Sequence, residues 1–125
     1  MTYVAGAYTV KDNNSNTWVL IAEQGYRTAG VAYCWYAANA KAGSTTVTVT
    51  ANLQTSIYVV VEEVTGITTS SPLDTFGSAS ASSGNGSVTT THSVTQSTEY
   101  VLAFFADWES NSTWTAGAGY VARCV

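Results

Sequence analysis

Residues 44–51 read STTVTVTA, and this alternation decides how the chain folds. Successive side chains of an extended strand point to opposite faces. Val47 and Val49 therefore share one face, while Thr46, Thr48 and Thr50 share the other. Such a strand is half-buried, with β-branched apolar groups inward and hydroxyls toward water. The same period recurs on both sides of it. YVAGAYTV, TWVLIAE, GVAYCWYA, SIYVVVEEV, GSVTTTHSV, EYVLAFFAD and GYVARCV all read as strands, separated by turn clusters such as DNNSN, KAGS and SGNGS. No window sustains a 3.6-residue apolar period between caps. Only Ala37 to Ala42 suggests a helical turn, which Gly43 would end.

Short strands at this spacing without interleaved helices predict an all-β chain, an antiparallel β-sandwich or jelly roll of seven to nine short strands. The length of 125 residues fits one domain, 1–125. IYVVV is apolar on both faces and is expected to be a central strand, with YVLAFFA as its neighbour. Residues 70–91 hold few large apolar groups and read as a partly ordered edge anchored by Leu73 and Phe76, or else as a surface loop.

Apolar residues make up 46% of the chain but charged ones only 10%, against roughly a quarter in an average soluble domain. Solubility then rests on Ser, Thr, Asn and Gly, a bias common in secreted and surface-displayed β-proteins. Lys11, Arg27, Lys41 and Arg123 are outnumbered by eight acidic residues, giving a formal charge of −4. Scattered basic residues in an acidic chain argue against nucleic-acid binding. No apolar run reaches 18 residues, so no membrane insertion is expected. The opening TYVAGAYTV shows neither the charged nor the apolar region of an export signal, so none is expected within these residues.

Cys34 and Cys124 could form one disulfide, which an oxidising compartment would favour, or could remain two buried thiols. With one histidine and no C-x-x-C, no metal site is expected, and no cofactor.

In order along the chain, DNNSNTW, YAANAKAGSTTVTVT, YVVVEEVTGITTSSPLDTFGSAS, GSVTTT, EYVLAFFA and TAGAGYVAR resemble a segment of large secreted bacterial and metagenomic surface proteins. The module concerned is a β-sandwich of the concanavalin-like or jelly-roll type, found beside immunoglobulin-like repeats or carbohydrate-active domains. The resemblance implies an extracellular or cell-surface location and brings no catalytic residues with it. Those modules run longer at both ends, so this chain resembles their central portion. Uncovered sheet edges would follow, and with them a homo-oligomer joined through shared or exchanged strands. A short but complete sandwich is the alternative.

Several residues are candidates for chemistry. Glu62 and Glu63 are neighbours on one strand and diverge, so they cannot serve one substrate as acid and base. Whichever is covered should be desolvated unless paired, with Arg27 and Arg123 as partners; a structural carboxylate is the expected role. Asp107 and Glu109 of DWES share a strand face and offer a carboxylate pair of the kind that cleaves glycosides, although such pairs normally sit across a cleft. His92 stands beside Ser93, which points the other way, so any hydrolase would need another nucleophile. If the chain is an enzyme, Asp107, Glu109, His92 and Glu63 are the candidates. Asp12, Asn14 and Asn16 of DNNSN have the oxygens of a weak calcium site but lack clustered carboxylates, and an Asx-rich hairpin turn accounts for them. The sequons at Asn13, Asn85 and Asn111 mark surface loops.

Aromatic residues form 12% of the chain. Trp108, Trp114 and Tyr26 are least committed to a core and could stack on sugar rings, with Asp107, Glu109 and Asn111 accepting hydroxyl protons. The expected function is therefore a non-catalytic extracellular module that binds a glycan or surface polymer. A self-associating adhesive module and a small hydrolase are the alternatives.

Overall fold

The computed structural model describes residues 8–26, 30–43, 45–53, 55–80, 93–104, 115 and 118–121, with Tyr26 in its backbone only. Four strands lie among them: β1 (Tyr8–Asp12), β2 (Val19–Tyr26), β3 (Gly30–Tyr36) and β4 (Val47–Ala51). No helix occurs among the described residues. The chain is thus all-β there, built as two small antiparallel sheets. One pairs β1 with β4, and the other pairs β2 with β3. The pairing is nested: the chain leaves β1, makes the adjacent pair β2 and β3, and returns to lay β4 against β1.

The alternation read in STTVTVTA is what β4 displays. Val47, Val49 and Ala51 are half-buried, and Thr48 and Thr50 are exposed. β1 matches it, with Tyr8, Val10 and Asp12 on the half-buried face and Thr9 and Lys11 outward. The register sets Val10 opposite Val49 and Asp12 opposite Val47, so β-branched groups meet on the inner face, where cross-strand pairs stabilise a sheet most. β3 is half-buried at every position from Gly30 to Tyr36, as its aromatic and apolar sequence requires. β2 carries a bulge between Leu20 and Ala22, where Ile21 is the extra residue; beyond it Ala22 faces Cys34 and Glu23 faces Tyr33. One ring contact joins the two sheets: the centroids of Tyr8 on β1 and Tyr33 on β3 lie 4.6 Å apart, tilted by 51°.

Three expectations need correction. DNNSN is a turn but not a hairpin, because β1 and β2 belong to different sheets. Ala37 to Ala42 form no helical turn; Asn39 adopts the left-handed conformation (φ 49°), and Gly43 lies at φ 119°. Ile57 to Val61 is not a central strand: no ladder joins it to another described strand, and Tyr58 is 94% exposed. A run apolar on both faces signals a wish for cover, and the sequence does not say what supplies it. The described part of its expected neighbour, residues 100–104, shows no strand either; Tyr100 Oη donates to Glu62 Oε1, just beyond the run, at 2.7 Å. Residues 70–80 of the expected edge segment show no strand.

No helix among the described residues is long and apolar enough to cross a membrane.

Candidate functional site

The densest polar construction among the described residues is the turn after β1. Its centre is Asp12, the last residue of the strand. Asp12 Oδ1 accepts from the amides of Asn14 (2.8 Å) and Asn16 (3.1 Å), and Oδ2 accepts from the indole of Trp18 (2.6 Å). The local cause is familiar: a short carboxylate can bond backbone groups two residues on, and so closes an Asx turn. Ser15 takes the left-handed conformation (φ 56°) that lets the chain reverse. Partial desolvation pushes the Asp12 carboxyl up, but the amide, indole and side-chain donors together outweigh it and hold the pKa below the ordinary 3.8.

A second loop, residues 41–43 and 45–46, is bound to the first. Lys41 Nζ donates to the carbonyls of Asn14 (3.0 Å) and Ser15 (3.4 Å), and the Lys41 amide donates to Asn16 Oδ1 (2.9 Å). Asn14 Nδ2 donates to the Thr45 hydroxyl at 3.0 Å, and the Thr46 amide donates to Asn13 Oδ1 at 2.7 Å. The side-chain oxygens of Asp12 and Asn16, two of the calcium candidates, thus accept from N–H donors, the side chain of Asn14 donates to Thr45, and an ammonium group already sits on the turn's carbonyls. That arrangement is a clasp between the crossover from β1 to β2 and the approach to β4. The sequence signalled Asp12, Asn14 and Asn16 but not Lys41 or Trp18. Lys41 lies 25 residues beyond Asn16, and no local pattern ties two such loops together. Among the described residues no group of three or more His, Cys, Asp and Glu could hold a metal ion.

Beside the clasp, Lys11, Asp12, Asn13, Thr46, Thr48 and Thr50 line an open depression of about 320 Å³ on the outer side of the β1–β4 sheet.

The remaining candidates divide. Glu62 and Glu63 are both exposed, so neither is the desolvated carboxylate expected of a covered strand end, and Glu62 accepts from Tyr100. Asp74, not foreseen from the sequence, is bound by Thr95: the hydroxyl donates at 2.6 Å and the amide at 2.9 Å. Those two bonds hold its carboxyl below the ordinary range against a smaller desolvation effect. Cys34 is half-buried in β3 and unbonded among the described residues, and burial pushes its pKa up. Its candidate partner Cys124 lies outside the described residues, as do His92, Asp107, Trp108, Glu109, Asn111, Trp114, Arg27 and Arg123, and the side chain of Tyr26.

No family model, curated protein or solved structure matches this chain.

Proposed function

We propose that the chain is a non-catalytic, extracellular β-sandwich module that binds a glycan or another surface polymer. The observation behind this is the display of aromatic rings. Tyr58 is 94% exposed, and Phe76, Tyr100, Phe104 and Tyr120 are each exposed by half or more. An aromatic ring offers a flat apolar face with a polar edge, the surface on which the C–H face of a sugar rests. At Tyr100 the ring hydroxyl donates to the Glu62 carboxylate, so a carboxylate stands beside a ring. Trp108, Trp114 and Tyr26, with Asp107, Glu109 and Asn111, belong to the same proposal. The sandwich itself, of the concanavalin-like or jelly-roll type, is supported by the nested pairing of β1 with β4 around β2 and β3 and by the Tyr8 to Tyr33 contact between the sheets. The hydroxyl-rich, charge-poor composition supports a surface location. A glycan array tests the binding: the whole chain should retain a defined sugar class, and Tyr58→Ala and Trp108→Ala should each weaken it. Retention by no glycan, or indifference to both substitutions, would sink the reading.

A second reading, self-association, is favoured by a different observation. Ile57, Val59, Val60, Val61, Val101 and Leu102 are exposed by 40 to 58%, and aliphatic groups in such a band serve protein contacts better than sugars. Light scattering over a range of concentrations separates the two, since only the second demands an assembly.

A further inference from the structure

The outer face of the β1–β4 sheet carries chemistry that the exposed aromatics do not use. Thr9 and Lys11 on β1 and Thr48 and Thr50 on β4 all project outward and are exposed. The register sets Thr9 beside Thr50 and Lys11 beside Thr48. Neighbours along each strand are then about 7 Å apart and neighbours across the ladder about 5 Å. The result is an open patch of hydroxyls with one ammonium group in it; Lys11, Thr48 and Thr50 line the open depression together with Asp12, Asn13 and Thr46.

Three properties define what such a patch can hold. It is open, and a small molecule needs enclosure to bind well, so the occupant is an extended chain lying along the strands. Threonine hydroxyls both donate and accept, which matches a ligand rich in hydroxyls. Among the described residues the two ammonium groups here outnumber the one carboxylate, although the chain carries −4 overall: Lys11 lies on the face itself and Lys41 at the adjoining turn, against Asp12, whose oxygens are engaged by N–H donors of its own loop.

We propose that this face binds an acidic polysaccharide, with Lys11 pairing a uronate carboxylate and Thr48, Thr50 and Thr9 bonding ring hydroxyls. The proposal rests on the reading of the chain as a glycan- or polymer-binding module, and adds its ligand class and contact face. Polygalacturonate and its methyl ester are matched probes, because esterification removes the charge and keeps the backbone. In affinity electrophoresis the whole chain should be retarded by polygalacturonate and not by the ester, with the retardation falling as salt rises. Lys11→Gln should weaken it roughly tenfold and Lys11→Arg should keep it, the loss being that of one charge-assisted hydrogen bond. Thr48→Val with Thr50→Val should weaken it without altering the salt response. All these side chains are exposed, so circular dichroism should match the wild type. Equal retardation by both polymers, or unchanged binding by Lys11→Gln, overturns the proposal. Loss of binding only on Tyr58→Ala overturns it while leaving the glycan-binding reading intact. No binding to either polymer overturns it as well, and an array then decides the broader reading by itself.

Discussion

Asp12 shows how much one side chain can be asked to do. It ends a strand, closes a turn and anchors Trp18 ahead of β2 through its second oxygen. Its pKa is depressed in the folded chain, as is that of Asp74. A depressed carboxyl adds stability that is complete above the unfolded value, near 3.8, and is lost as pH falls through the lower folded value. Urea midpoints should therefore fall as pH drops from about 5 toward 2. Asp12→Asn should be less stable at neutral pH and show a flatter fall; an unchanged slope would mean that Asp12 is not a linked group. Asn13 ties the two loops together, since its side-chain oxygen accepts from the Thr46 amide at 2.7 Å. Asn13→Ala should cost about 1 kcal/mol in chemical denaturation. Cys34 reports on redox state. Half-buried, with its pKa raised by burial, it should react slowly with a disulfide reagent in the native chain and quickly in urea. No reaction in urea without reductant would mean that it is bonded to Cys124.

For single elements, the alternation in residues 46–50 was legible because a half-buried strand has a two-residue period that no other element imitates. The same logic predicts opposite outcomes for neighbours. Val49→Thr should cost about 1 kcal/mol, because a hydroxyl replaces a methyl on the inner face, while Thr48→Val on the outer face should change stability by less than about 0.5 kcal/mol. Thermal denaturation of both variants checks this, and equal effects would mean that the two faces are equally covered. What the sequence concealed is partnership. Nothing local to DNNSN says that the next strand belongs to another sheet, and nothing in Lys41 says that it will clasp Asn14 and Ser15. Ile57 to Val61 misled for a related reason. Its composition reports a need for burial on both faces, not where cover comes from, and the run lies exposed at Val59, Val60 and Val61.

Taken as a whole, the all-β character of the described residues was legible, and the site less so. The residues with the strongest chemical promise, Asp107 to Asn111, His92 and Trp114, fall outside the described residues. The polar clasp and the threonine face emerge only once β1 is seen beside β4. The two sheets touch through Tyr8 and Tyr33, and a double-mutant cycle on that pair should return about 1 kcal/mol of coupling. A value near zero would mean that the sheets are not packed through these rings.

The nested order of strands also has a consequence in time. β2 and β3 are adjacent in sequence and can zip locally, whereas β1 must find β4 across the distance that separates Asn13 from Thr46, 33 positions. Closing that larger loop first would cost more chain entropy, and a preformed inner pair shortens it. The inner pair is then expected to form before the outer pair. In stopped-flow kinetics, substitutions in β3 should slow refolding, while substitutions in β4 should chiefly speed unfolding. On that pathway the bonds from Lys41 to Asn14, Ser15 and Asn16 form with the outer pair, after the local bonds of Asp12.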